Sequence, residues 1–329
     1  MKIIICFLVV FVFFLRADEY QLGHGVRLSD ELHIGGYFSF DYLDSDVKRQ
    51  FRLDDVALLA YGSLSSKFSY LVELEAAPFY VKNYTTDIST TDTTFHYERI
   101  YLNYTHSEMF NIRIGKQITP IGYWNLEAIN VLRDTSSNPL YSNKMFPKLL
   151  TGIDVHGFLD DENTLQYHLF IQNNDDLDQD YININNDYFV GASVEYEVMP
   201  EFEFGGSIGN YITKEDNKNV KFLQLDAKYD SYPFLFQTEF AYNYVNHKNI
   251  DSKSHQSAGY TQGLYHLNTQ HAVIGRYEYY DDKARGDTNH IGVIGYSYRP
   301  MYSISIKAEY QINSDSKFSK SIISFSVLF

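Results

Sequence analysis

Apolar and polar side chains alternate with period two through segment after segment of this 329-residue chain. In 301–312, Tyr302, Ile304, Ile306, Ala308 and Tyr310 fall on one face, and Ser303, Ser305, Lys307, Glu309 and Gln311 on the other. In 232–246, Phe234, Phe236, Phe240, Tyr242 and Tyr244 oppose Gln237, Glu239 and Asn243. The segments 164–172 and 67–77 read the same way. Successive side chains of a strand point to opposite sides, so the pattern predicts strands with one oily and one wet face. Two segments, 51–63 and 270–281, have apolar residues on both faces and leave their facing open.

Sixteen strands are expected, at 31–42, 51–63, 67–78, 94–105, 109–118, 151–160, 164–172, 187–198, 201–213, 219–230, 232–246, 256–267, 270–281, 288–299, 301–313 and 318–329. Each is near the ~9–11 residues that a tilted strand needs to cross a bilayer. After even-numbered strands the connectors are short, such as Met199-Pro200, Asn268-Thr269 and Pro300. After odd-numbered strands they are often long, as at 79–93, 119–150, 173–186 and 247–255, with 214–218 and 314–317 the shortest of that set. Short turns at one end and long loops at the other are the habit of membrane barrels. The last segment puts Ile323, Phe325, Val327 and Phe329 on one face, as a strand pairing back to the first would need. The expected fold is an all-β, transmembrane antiparallel barrel of about sixteen strands, in a single domain over 18–329.

Composition agrees. The chain has 30 Tyr and 24 Phe, yet its mean hydropathy is −0.31, too polar for a bundle of membrane helices. A net charge of −15 argues against a nucleic-acid partner, and one Cys excludes a disulfide framework. Met1 and Lys2 precede an apolar run of 13 residues, 3–15, too short to span as a helix. It reads as the core of a secretory signal peptide over 1–17, cut after Ala17 and taking Cys6 with it. Export would carry the barrel to the outer membrane of a Gram-negative bacterium, among lipid and lipopolysaccharide.

The stretch Arg113-Ile114-Gly115-Lys116-Gln117-Ile118-Thr119-Pro120-Ile121-Gly122 resembles the R-x-G-x-x-x-x-P-x-G signature of the porin O/P (phosphate-selective porin-like) family. Phe51-Arg52-Leu53 and the run from Lys67 to Glu75 resemble the same family's second and third strands. The resemblance implies a homotrimeric channel with a long third extracellular loop folded into the lumen. The third long connector here, 119–150, is the longest in the chain. A dense series of lumen-facing Arg, expected of phosphate-selective members, is not found.

The expected lumen charges on strands are Glu73, Glu75, Asp154, Glu203, Asp226, Lys228, Glu239, Lys307 and Glu309, joined by Arg99, Arg113 and Lys116. The expected constriction in 119–150 carries Trp124, Glu127, Arg133, Asp134, Lys144 and Lys148. Charges beside a narrow gap set the field that ions feel. The mixture has an acidic excess on the strands, which suggests a weak cation preference; the alternative is that the charges pair across the lumen and only brace it. Tyr123 and Trp124 could offer rings to solutes, but packing of the loop against the wall is the preferred reading.

Enzymatic motifs are weak. Gly205-Gly206-Ser207-Ile208-Gly209 fits G-x-S-x-G, but it lies mid-strand with no helix after it. Asp176, Asp178, Asp180 and Asp187 have partial calcium-loop spacing, but Tyr181 stands where glycine is needed, so a solvated acidic loop is expected. The eleven His are scattered, and neither a metal site nor a cofactor is expected. A passive diffusion channel for small hydrophilic solutes or ions, and no enzyme, is the reading. The rivals are a phospholipase-like barrel enzyme and a structural or adhesive barrel.

Overall fold

The computed structural model describes residues 20–21, 25–29, 31–179, 181, 183–247 and 252–329. The expected leader over 1–17, with Cys6, and Asp180 lie outside these. Sixteen long strands alternate up and down around one barrel. They are β1 (His33–Ser45), β2 (Arg49–Ser63), β3 (Phe68–Ala76), β4 (His96–Thr105), β5 (Asn111–Ile118), β6 (Leu149–Phe158), β7 (Leu165–Gln172) and β8 (Asn186–Met199). Then follow β9 (Phe202–Thr213), β10 (Lys218–Ser231), β11 (Phe234–His247), β12 (Ser252–His266), β13 (His271–Asp282), β14 (Asp287–Met301), β15 (Ile304–Asn313) and β16 (Lys320–Leu328). Every expected strand is present, with ends moved by a few residues. Neighbours in sequence pair antiparallel, and β16 closes on β1 from Lys320↔Ser45 to Leu328↔Tyr37. Gly36 and Phe329 exchange backbone hydrogen bonds of 2.9 and 2.8 Å at the end of that seam. Closure leaves no open edge, which a barrel in lipid requires.

Burial runs opposite to that of a water-soluble sheet. On β11, Phe236, Phe240, Tyr242 and Tyr244 are exposed, while Gln237, Glu239 and Asn243 are buried. On β15, Ile306, Tyr310 and Ile312 are exposed, and Ser305, Lys307 and Glu309 are buried. The oily faces therefore point outward, toward lipid, and the wet faces line the lumen. Exposed rings gather at the two rims: Phe68, Phe110, Phe204, Tyr232, Tyr265 and Tyr302 near the short turns, and Tyr42, Tyr84 and Tyr244 near the long loops. Amphipathic rings favour the level where hydrocarbon meets headgroups.

Two connectors depart from expectation. Strands β11 and β12 extend to His247 and from Ser252, so the long loop expected at 247–255 shortens. The connector after β3 contains a small hairpin, Tyr80–Asn83 with Ile88–Thr91, whose first arm pairs with Gln50–Leu53 of β2. The β2–β3 ladder ends at Val56↔Ala76, just before Pro78, which has no N–H to donate. Beyond the proline the chain resumes pairing with the upper half of β2.

The facing of 51–63 is also resolved. Between β1 and β2 the register shifts from Phe38↔Val56 to Phe40↔Leu53, so Ser39 stands opposite both Asp54 and Asp55. This bulge breaks the alternation and brings both carboxylates to the lumen side.

Candidate functional site

The third long connector, 119–148, leaves β5 and folds into the lumen. Two glycines make that path possible. Gly115 has φ +131, and a Cβ there would lie 2.2 Å from the Ile100 carbonyl oxygen, so only glycine lets β4 and β5 run this close. Gly122 has φ +66 and would place a Cβ 1.9 Å from Glu239 Oε2. The R-x-G-x-x-x-x-P-x-G stretch is thus the hinge that turns the chain inward. Two short helical turns follow, α1 (Tyr123–Leu126) and α2 (Leu140–Lys144).

The far wall holds the loop by its backbone. Glu239 on β11 accepts from the Trp124 N–H at 2.7 Å, Glu278 on β13 from the Leu140 N–H at 2.9 Å, and Glu309 on β15 from the Ser137 N–H at 3.0 Å. Arg299 on β14 donates to the carbonyls of Val131, Leu132 and Arg133, and Lys307 on β15 to that of Asn130. Arg276 on β13 donates to Thr135 Oγ1 and Ser137 Oγ, pairs with Glu278 at 2.9 Å, and lies 5.1 Å from the Trp124 ring. These charges carry whole hydrogen-bond sets, which is what makes buried ions tolerable.

Apolar packing adds to the clamp. Ile121, Trp124, Tyr141, Met145 and Phe146 bury against inward side chains of the wall, among them Leu150, Phe170, Phe189, Tyr211, Phe222 and Tyr260. Trp124 is 2 % exposed and meets Tyr260 edge-on at 5.7 Å. It packs, and offers no open ring face to the lumen.

The loop divides the wide mouth. On one side a hollow of about 780 Å³ is lined by Asp41, Lys48, Arg52, Asp54, Asp55 and Lys320, among others. On the other, a hollow of about 860 Å³ is lined by Lys144, Asp216, Lys218, Asp282 and Arg285, among others. The first shares Asp54, Asp55, Ala77, Ser136, Asn138 and Lys148 with a neck of about 130 Å³ between the loop and the wall of β2–β4. In this neck Asp54, Asp55, Glu75 and Glu98 on the wall face Arg133 and Lys148 on the loop. Burial first, and then the neighbouring Arg133 charge, push the Lys148 ammonium down to about 8.

The expected site residues separate into groups. Glu75, Arg133 and Lys148 line the neck. The buried Glu73 pairs with the partly exposed Arg99 on the wall beside it. Arg113 faces the lumen with its guanidinium 4.7 Å over the Tyr101 ring. Asp134 pairs with Arg299 at 3.6 Å, Glu127 is exposed on the loop, and Lys144 lies in the second hollow. Lys116 is not on the lumen face. It shares the outward face of β5 with Ile114, two residues before it, and its Nζ reaches Asp176 at 2.6 Å and the Asp178 carbonyl at 3.2 Å. For Asp176 and Asp178 that finding also corrects the picture of a solvated acidic loop, while Asp187 is exposed as expected. Asp176 is 5 % exposed and accepts from Thr151 Oγ1 as well, and Asp178 accepts from the Tyr97 N–H, so these carboxylates latch the first part of the connector after β7 to the rim. Ser207 is 3 % exposed and sits mid-strand opposite Ser193 and Gln224.

Sequence reading missed Asp54, Asp55 and Glu98 at the neck, Asp41 in the hollow that adjoins it, and Arg276, Glu278 and Arg299 in the clamp. For Arg276 and Glu278 a signal existed. Two charges at i and i+2 share a strand face, and charge on the lipid face is costly, so that face had to be inward. It also missed that Asp154, His156 and His168 come together on adjacent strands.

No family model and no curated protein matches this sequence. Solved structures do match in fold. The anion-selective porin from Comamonas acidovorans is 11% identical with a TM-score of 0.64, covering 91% of this chain and 99% of its own. The outer membrane channel DcaP of Acinetobacter baumannii is 12% identical with a TM-score of 0.63, covering 94% and 100%. The trimer form of OmpT, an outer membrane protein of Vibrio cholerae, is 9% identical with a TM-score of 0.64, covering 91% and 99%. With sixteen strands, an oily exterior and a loop inside the lumen, this chain has the fold of the Gram-negative outer-membrane porins.

Proposed function

We propose that the protein is a passive channel for small hydrophilic solutes and ions across the outer membrane. The observation that carries this reading is the charged neck between the third loop and the wall, set inside a barrel whose outside is oily. The short turns then face the periplasm and the long loops the exterior, with lipid and lipopolysaccharide around the aromatic rims. A homotrimer is the assembly we favour, supported by the trimer form of the OmpT structure. A cleaved leader over 1–17 would direct export. The Arg113–Gly122 stretch supports a place near the porin O/P group, and the loop hinge it forms is the physical content of that likeness.

We further propose a weak cation preference. Four carboxylates face two cations across the neck, and a low-dielectric wall focuses such an excess. The anion-selective neighbour does not argue otherwise, because at 11% identity the lining charges are this chain's own. Purified protein in planar bilayers under a salt gradient should give open-channel steps and a reversal potential of cation-selective sign. The double variant Asp55→Asn/Glu75→Gln should move that potential toward zero or past it. Absence of conductance, or an anion-selective wild type, would sink the respective claim.

Lys148 gives the neck a pH dependence. Below about pH 8 its ammonium is charged and offsets the wall carboxylates; above it, the neck loses one positive charge. Cation preference should therefore rise between pH 7 and 9.5, and Lys148→Met should show the high-pH value throughout. A flat profile in the wild type would count against this role.

No catalytic role is proposed. Ser207 is buried on the wet face, away from lipid, which does not favour a phospholipase. Labelling of the protein by a fluorophosphonate probe would reopen that question.

A further inference from the structure

Away from the neck, the lumen wall carries a second constellation. Asp154 and His156 project from β6, and His168 projects from β7 directly opposite His156. Their facing follows from their neighbours: Leu169 and Ile171 are exposed on the outer surface, and Phe170 between them is buried inward, so His168 points to the lumen. His168 Nδ1 lies 3.1 and 3.0 Å from the two Asp154 carboxylate oxygens, and His156 Nδ1 lies 3.2 Å from Oδ2. The two rings stack at 5.3 Å with 18° between their planes. One donor atom from each of the three residues falls within 4.8 Å of the others.

Two details distinguish this from a carboxylate merely bridging two imidazoles. His156 Nδ1 is buried without an aligned hydrogen-bond partner. On the far side of His168, the Gln166 amide lies 3.3 Å from Nε2. A half turn of that amide presents its oxygen to Nε2–H and leaves the Nδ1 lone pair facing Asp154. A metal-binding histidine typically has such a partner on its second nitrogen.

We propose that Asp154, His156 and His168 bind one divalent transition-metal ion, of the zinc or nickel class, on the lumen wall between the neck and the short-turn end. Two imidazole nitrogens and a carboxylate oxygen suit these ions, and three protein ligands leave a fourth position open toward the lumen for water or a passing solute. Bonds of ~2.0–2.1 Å in a tetrahedron set donor atoms about 3.3–3.4 Å apart. The 3.0–3.2 Å spacings between Asp154 and the rings open by a few tenths of an ångström, and the two ring nitrogens, within 4.8 Å of each other, close to the same span. Arg113, opposite Asp154 on β5, is engaged over the Tyr101 ring. The His side chains are 12% and 14% exposed, so solutes in the lumen can reach them.

The test uses the full, untagged barrel in detergent micelles, titrated with Zn²⁺ by calorimetry and with Co²⁺ by visible absorption. Wild type should take one ion per chain, with a tetrahedral Co²⁺ spectrum. His156→Ala/His168→Ala should abolish that saturable binding, and Asp154→Asn should weaken it at least tenfold. Gln166→Ala, which removes only the supporting amide, should weaken it about tenfold. An unchanged heat-dependent shift in gel mobility verifies that each variant is folded. Wild-type binding no tighter than that of the double-His variant would overturn the site. Binding in micelles does not require an open channel, so this result and the conductance result stand or fall separately.

Discussion

Replacing Arg276 by alanine should unlatch the third loop and lower barrel stability by about 3–5 kcal/mol, the usual cost of removing one partner from a buried ion pair. The guanidinium is fully buried and joins Glu278, Thr135, Ser137 and the Trp124 ring. Its removal strands the Glu278 carboxylate, which also accepts from the Leu140 N–H. The denaturant midpoint in detergent should fall, and single-channel records should become noisier, with larger open steps as the loop leaves the centre of the lumen. Arg276→Lys keeps the charge but not the planar fork, so it should fall between alanine and wild type. Unchanged stability and quiet, wild-type currents in Arg276→Ala would mean that the clamp does not hold the loop.

Gly122→Ala should have an effect of similar size by a different route. At φ +66 and ψ 165, a region essentially reserved for glycine, an L-residue costs about 1–3 kcal/mol. The new Cβ would also push out the Glu239 carboxylate, leaving the Trp124 N–H and the Tyr260 hydroxyl without their acceptor. Each buried polar group left unpaired adds about 1–3 kcal/mol. The interaction can be isolated. Because alanine at 122 and Glu239→Gln disturb the same contact, the double variant should lose clearly less than the sum of the two single losses. Strict additivity would show that Gly122 is needed for backbone conformation alone.

Most of the barrel was legible without coordinates. Strand alternation is a local property, and lipid outside with water inside forces it on nearly every strand, so β11 and β15 declared their faces directly. The alternating lengths of the connectors gave the two ends of the barrel for the same reason. The two ambiguous segments failed for identifiable causes. In β2, the bulge at Asp54 and Asp55 breaks the period of two. In β13, inward Ala272, Ile274 and Tyr280 are apolar because the lumen itself contains buried apolar clusters, one of them built with the loop. Sequence periodicity cannot tell an apolar residue facing lipid from one facing such a cluster.

The sequence by itself thus determined a closed barrel, its strand number, its wet and oily faces and the loop that enters it. Only the tertiary structure decided which charges meet. The neck joins β2, β3 and β4 to loop charges about 35 to 95 residues farther along the chain, and the clamp joins that loop to strands more than a hundred residues beyond it. The same holds for Lys116, whose partner Asp176 arrives from a different connector. Which side chains lie within hydrogen-bond reach is set by strand register and barrel closure, and those depend on all sixteen strands at once.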